Sequence, residues 1–295
     1  MTATLSHSTG EVVAPGVYDL TDELYHSDPV PGGSLSSSGA KLLLDSPAKF
    51  RHVAEHGRAS TAAFDFGHAA HKLVLGAGPE LVVVDAANWM TKAAKEAKST
   101  AYAAGAVPLL PDEHDQVHAM ADAIRRHPIA SALFDPANGA PERSLFWVDE
   151  QTEVWRRARL DWLPNNPAGS GRLIVPDYKT TARADLESIQ KSVWNYGYHQ
   201  QAAWYLDAVT ALGLGVNPAF VFVFQEKSAP YLIRVVALDT VALRYGRDQN
   251  RRALNTYRDC VDSGRWPGYL DETDDVAVIA LPRWVENRIN AQENW

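Results

Sequence analysis

EVWRRARLDWL (153–163) and RLIVPDYKT (172–180), separated by the turn-rich PNNPAGSG (164–171), read as neighbouring strands, and the fold follows from them. SLFWVDE (144–150) precedes them across a tight turn and makes the unit a three-stranded meander. Strand side chains alternate faces, so Asp177 and Lys179 point the same way. Asp161 sits at the end of the strand before. Two carboxylates therefore converge at one edge with an ammonium beside them. Such a cluster is costly to bury unpaired. A divalent metal resolves it, because hard oxygen ligands suit magnesium or manganese. Lys179 can then orient or help deprotonate a water, or stabilise charge on a phosphate. By themselves, an Asp and a Lys two apart on a strand also read as an exposed ion pair.

Downstream, a long helix is expected from about Leu186 to Leu212, ended by Gly213 and Gly215. AFVFVFQEK (219–227) is a buried strand and PYLIRVVAL (230–238) its hairpin partner. An amphipathic, basic helix spans about Asp239 to Ser263, followed by loop and tail. Upstream, residues 1–16 read as a loose polar arm. The serines of PVPGGSLSSSG (29–39) cap a helix over GAKLLLDSP, and Asp45-Ser46-Pro47 breaks it and starts AKFRHVAEHG. AAFDFGHAAHKLVLG, from Ala62, is a buried helix ended by Gly76. ELVVVD (80–85) is a strand, and 88–104 and 112–126 are helices. There is no internal repeat. This order predicts one α/β domain over 17–285 with a mixed sheet: a helical part at 34–130, sheet and helices at 140–265, and a tail at 286–295.

Several other residues could join the strand-edge cluster. In YGYHQQAAWYLDA (196–208), Gln201 and Tyr205 are four apart and share a face with Tyr198. They could bond a substrate phosphate or an attacking water, or form a Tyr-rich core stripe. His71 ends FGHAAH, where Gly67, Ala69 and Ala70 allow close approach of another element, and His68 lies three residues before it. A neutral imidazole there is either a competent metal ligand or a satisfied core residue. Glu142, in APERSLFW, would add a third carboxylate or cap the strand edge.

The chain has 295 residues, 46% hydrophobic and 22% charged, which excludes a disordered protein. No apolar run approaches the roughly 18 residues of a membrane span, and MTATLSHSTGEVVAPGVYDL lacks the basic start and apolar stretch of a secretory signal. The single Cys260 cannot form an internal disulfide or a Cys-ligated cluster, so a reducing, cytoplasmic setting is expected. A net charge of -8 argues against a general nucleic-acid binder but not against an enzyme whose acids hold metal. Bases cluster at Arg156, Arg157 and Arg159 and at Arg244, Arg247, Arg251 and Arg252; acids cluster at Asp271, Glu272, Asp274 and Asp275. Each cluster reads as a solvated face, or, for the second basic cluster and Lys92–Lys98, as phosphate contacts.

Taken together, SLSSSGAKLLLDSPAKFRH, FGHAAHKLVL, RARLDWL with VPDYKTT, YGYHQQAAWY, FVFVFQEKSAPY and GRWPGY…LPRW resemble, in order and spacing over residues 18–285, the RecE-type exonucleases of the PD-(D/E)XK nuclease superfamily seen in phages and prophages. The resemblance implies an α/β PD-(D/E)XK core, a central mixed sheet flanked by helices, with an N-terminal helical part. It implies that His71, Asp161, Asp177 and the Tyr178 carbonyl hold Mg2+ or Mn2+, with Glu142 matching a further family acid. Lys179 would be the catalytic lysine, and Gln201 and Tyr205 would position substrate. The implied activity is hydrolysis from the ends of linear DNA, 5′ to 3′ on duplex and leaving 5′-phosphates, in phage-type recombination. The implied partners are DNA and a single-strand annealing protein, with the enzyme a homo-oligomeric ring. The alternatives are a catalytically silent DNA-binding module of the same fold and a metal hydrolase of small phosphate esters. The second is weakened because no Gly-rich phosphate cradle follows a strand. Pro176 departs from the pattern: it removes a ladder donor, so a bulge or an edge strand is expected there.

Overall fold

The computed structural model describes residues 5–6, 10–57, 62–166, 172–269 and 278–293. The chain runs through β1 (Leu5–Ser6), β2 (Gly16–Tyr18), α1 (Asp22–His26), β3 (Leu35–Ser36), α2 (Ser37–Asp45), α3 (Pro47–His56) and α4 (Ala62–Leu75). Next come β4 (Leu81–Val83), α5 (Lys92–Ala103), β5 (Val107–Leu109), α6 (Pro111–Arg126) and α7 (Pro128–Leu133). The three strands expected as a meander are β6 (Gly139–Val148), β7 (Trp155–Pro164) and β8 (Ile174–Thr181), but of these only β6 and β7 form a ladder; β8 pairs instead with the next strand in the chain, so the meander is broken between β7 and β8. The remainder is α8 (Leu186–Asn195), α9 (Tyr198–Ala211), β9 (Ala219–Glu226), β10 (Ile233–Ala237), α10 (Thr240–Ser263) and α11 (Arg283–Glu293). No helix among the described residues is long and apolar enough to cross a membrane.

The expected central mixed sheet is present in two halves. One has the order β1-β2-β6-β7-β3 and the other β10-β9-β8, with β4-β5 as a separate pair. β6 and β7 are antiparallel, and β8 and β9 are parallel, with Asp177 opposite Phe222 and Lys179 opposite Phe224. The halves meet where β7 lies beside β8. There Asp161 Oδ2 accepts the Tyr178 N–H at 2.8 Å, a side chain standing in for a ladder carbonyl. Alternate N–H groups of a strand face the same side, so Pro176, two residues earlier, leaves no unsatisfied donor at this seam. Pro176 thus lies on an edge strand, as expected, and the β8 register runs through it without a bulge.

Both faces of β9 are buried, which is why FVFVF is continuously apolar. Phe220, Phe222 and Phe224 join Trp147, Trp204 and Leu254 in one core. Val223 joins Trp162, Tyr178, Met120 and Ile124 in the other, against α4 and α6. Each fully buried aromatic contributes about 1.5–3 kcal/mol. Ser36 and Ser46 cap α2 and α3 through their side chains, as their positions predict.

Beyond the broken meander, four expectations differ from the structure. The long helix divides at Gly197, whose left-handed φ of 62° separates α8 from α9. Within the segment expected as a loose arm, Val12 is fully buried, its N–H donates to the Pro29 carbonyl, and it packs with Tyr18, Leu20, Tyr25 and Phe146. The tail contains α11. Arg156, Arg157 and Arg159 form no solvated face; all three make ion pairs beneath or beside other elements. Residues 1–4 and 7–9 of the arm, and the acidic cluster 271–275, lie outside the described residues.

Candidate active site

Asp177 is 1% exposed, and its two oxygens are held differently. Oδ1 accepts from Gln201 Nε2 at 2.8 Å, while Oδ2 forms an ion pair with Lys179, its neighbour on the same strand face. The Tyr178 ring points to the opposite face, where its hydroxyl donates to Gln225 in the core under α6. Only the Tyr178 backbone therefore belongs to the site. His71 reaches it from α4: Nδ1 stands 3.9 Å from Asp161 Oδ2, and its ring lies edge-on to the Tyr178 ring, 5.1 Å between centroids. Tyr205 lies one turn along α9 from Gln201, and Tyr198 lies with its ring 5.4 Å from Lys179 Nζ. The structure thus brings His71, Asp161, Asp177, Lys179, Gln201, Tyr205 and the Tyr178 backbone to the β7–β8 seam.

Glu142 arrives from β6. In the β6–β7 register it falls opposite Asp161, at a gap between the pairs Pro141–Trp162 and Arg143–Leu160. Its φ is +54°, unusual for a non-glycine residue within a strand and costing on the order of 1–3 kcal/mol. Its carboxylate accepts from Arg159 Nε at 2.5 Å. Arg159 was not singled out for the site by its sequence pattern. It faces the same side of β7 as Asp161 and also donates to the carbonyls of Leu20 and Thr21. Its partners come from distant segments, so no local signal could have found it.

The electrostatics follow from burial. Burial pushes Asp177 up to about 6, with the Asp161 charge adding to this and Lys179 opposing it. Burial likewise raises Asp161, against Lys179, the Tyr178 N–H and Arg159. Burial works against the Lys179 charge, but Asp177 and Asp161 together raise its proton affinity well above the ordinary value. Burial, then the Lys179 charge, pushes His71 down to about 4, so its imidazole is neutral near pH 7. Burial, then Asp161, pushes Glu142 up to about 7.

An acid that binds its proton more tightly folded than unfolded loses stability as pH rises between the two values. For Glu142 that window runs from 4.5 to about 7. Glu142→Gln lacks this loss and can still accept from Arg159. It is expected to gain on wild type across the window, by the order of 3 kcal/mol at its upper end. Urea unfolding of both proteins on either side of the window checks this; a stability difference independent of pH contradicts it.

The resemblance to PD-(D/E)XK nucleases implies a metal, and the donor chemistry fits one: two carboxylates, a backbone carbonyl and a neutral imidazole suit a hard divalent ion. As placed, Asp177 Oδ2 faces Lys179, Asp177 Oδ1 accepts from Gln201, and Asp161 Oδ2 accepts from the Tyr178 N–H. Among the described residues no three His, Cys, Asp or Glu side chains stand close enough together to hold an ion.

Of the basic residues read as phosphate contacts, Arg247 and Arg251 are engaged internally with Asp207 and Asp149, while Arg244 and Arg252 are exposed. Lys92 pairs with Glu96, and Lys98 lies over the Trp89 and Tyr102 rings.

No functionally curated protein matches the chain in sequence. The structure is similar to the crystal structure of a protein from Eubacterium rectale described as a "Putative exonuclease", with a TM-score of 0.58 and 15% sequence identity over 92% of this chain and 98% of that one. At that identity the likeness establishes the fold alone. Residues 36–277 match a family model described as a PDDEXK-like domain of unknown function, DUF3799. A match over that much of the chain, on a sheet whose paired aspartates and lysine meet at one seam, means that the chain belongs to the PDDEXK-like family DUF3799.

Proposed function

We propose that the protein is a divalent-metal-dependent nuclease that hydrolyses DNA phosphodiester bonds. The observation that carries this is the convergence of Asp161, Asp177 and Lys179 with a neutral His71 at the β7–β8 seam. His71, Asp161, Asp177 and the Tyr178 carbonyl would hold Mg2+ or Mn2+, with Glu142 as a further acid. When bound, the ion supplies Lewis acidity and a more acidic water. Lys179, held as an ammonium by the two aspartates, would provide positive charge beside the phosphate and orient the attacking water. Gln201 fixes the Asp177 carboxylate through Oδ1, and Tyr205, one turn along the same helix, would position substrate.

The finer reading is an exonuclease of RecE type, acting on the ends of linear DNA, 5′ to 3′ on duplex. It would work in the cytoplasm as a homo-oligomeric ring beside a single-strand annealing protein in phage-type recombination. It rests on the sequence resemblance and is supported by the fold. One observation favours the catalytically silent DNA-binding module instead: Asp161 Oδ2 and both Asp177 oxygens already have partners within the protein.

Digestion of end-labelled linear duplex beside a closed circle, in magnesium and in chelator, separates the readings. The proposal predicts label release from linear DNA in magnesium only, with the circle intact. Cutting of the circle removes the end requirement. Tight DNA binding in chelator with no cutting in magnesium establishes the silent module.

A further inference from the structure

Trp194, Tyr196 and Tyr198 occupy alternate positions across the α8–α9 corner. Tyr198 packs on Phe222 and Phe224 and lies beside the Lys179 amine. The Tyr196 ring is 5.6 Å from it, centroid to centroid, so two ring contacts lead from Lys179 to the surface. There Tyr196 is 62% exposed and Trp194 63%. Trp194 lies nearly parallel to His199 and Tyr245, at interplanar angles of 11° and 16°.

These rings are held in place. Lys41 Nζ donates to the Tyr196 carbonyl at 3.0 Å, and its stem lies so close to Gly197 that a Cβ there would come within 2.7 Å of Lys41 Cδ. His199, behind Trp194, is tied to Gln249 at 2.7 Å. The surroundings carry cations: Lys41 and Lys179 lie to either side of the Tyr196–Tyr198 pair, and Arg244 is exposed next to Tyr245. Glu187, on α8, is paired with Lys191.

Rigid exposed aromatics beside a cationic site match one polymer chemistry well. A nucleobase offers a π-face to stack on a ring, and its backbone offers negative charge; such stacking tolerates any sequence. In a duplex those faces are covered by neighbouring bases, so only an unpaired strand presents them. We propose that Tyr196 and Trp194 form a base-stacking platform for an unpaired polynucleotide strand entering the Lys179 site. This rests on the nuclease reading and narrows its substrate class to DNA with unpaired bases at the end being cut.

The test is fluorescence anisotropy of the full chain in chelator, with labelled oligothymidylate and with a base-free oligomer of the same length. Tyr196→Ala and Trp194→Ala should each weaken oligothymidylate binding by at least about fivefold, the cost of one lost stack. They should leave the base-free oligomer unchanged, and Tyr196→Phe should bind as wild type. Circular dichroism of each variant reports that the fold is kept. The platform is overturned if the alanine variants bind both oligomers as wild type does, weaken both equally, or if Tyr196→Phe fails like Tyr196→Ala. Magnesium-dependent digestion by wild type keeps the two readings apart. If wild type cuts DNA while the variants bind unchanged, only the platform falls; if wild type neither binds nor cuts, both fall.

Discussion

Lys179→Met is expected to slow metal-supported DNA cleavage by about 10²–10³-fold, the cost of removing one fixed charge aimed at a reacting group. Lys179 is paired with Asp177, and its charge is the strongest one lowering the proton affinity of Asp161 and Asp177. Methionine keeps most of the side-chain length and removes the charge. The two buried aspartates are then left with their mutual repulsion and their desolvation, both of which favour protonation. Asp177, already pushed up to about 6, moves higher still. The acid limb of whatever cleavage remains is therefore expected to shift to higher pH. A pH–rate profile of label release from linear duplex checks both effects at once. A rate and a profile equal to wild type would remove Lys179 from the reaction.

Asp149→Ala is expected to cost about 3–5 kcal/mol of stability, far from the seam, by breaking a buried ion-pair network. Asp149 is 5% exposed and accepts from Arg251 at 2.7 and 3.0 Å, and from both the N–H and the hydroxyl of Thr152. Arg156, also 5% exposed, lies over the Trp147 and Trp204 rings, 3.7 Å from Asp149 and 3.4 Å from Asp207. Removing Asp149 leaves this desolvated guanidinium with Asp207 alone and takes from Arg251 both of its bonds to the carboxylate. The ends of β6 and β7 and the α9 and α10 helices lose their common tie. Burial opposes the Asp149 charge, but the bonds from Arg251 and Thr152 outweigh it and hold the carboxyl below its ordinary value of 3.8. This contribution is therefore present above that value and fades as pH falls through it. Urea unfolding should show a lower midpoint at unchanged slope. A loss below about 1 kcal/mol would mean that the network behaves as a surface pair.

The sheet was legible in the text because its signals are local. Alternation marks β7, continuous apolar runs mark β9 and the start of β8, and serine caps mark α2 and α3. The convergence of Asp161, Asp177 and Lys179 followed from strand periodicity and one short connection. What was not legible depends on contacts across the chain. Nothing local separates YGYHQQ from a helix that simply continues, yet Gly197 turns left-handed there, with the Lys41 stem packed against it. Val12 sits in polar text and is buried only because residues 17–30 and Phe146 close over it. Arg157 and Arg159 look like a solvated run. They are matched by Asp28 and Glu142 and by carbonyls contributed by residues 20–34. His71 could have been a core residue or a site residue on spacing alone; its place beside Asp161 depends on how α4 packs on the sheet.

If the seam cuts DNA with the help of a divalent ion held by its aspartates, activity must follow the ion and those two side chains. The decisive experiment adds magnesium back to chelator-stripped wild-type protein, beside an Asp161→Asn/Asp177→Asn variant, while following cleavage of linear duplex. The expected result is no cleavage in chelator, saturable recovery for wild type, and no recovery for the variant. Cleavage that persists in chelator, or full recovery by the variant, would contradict it.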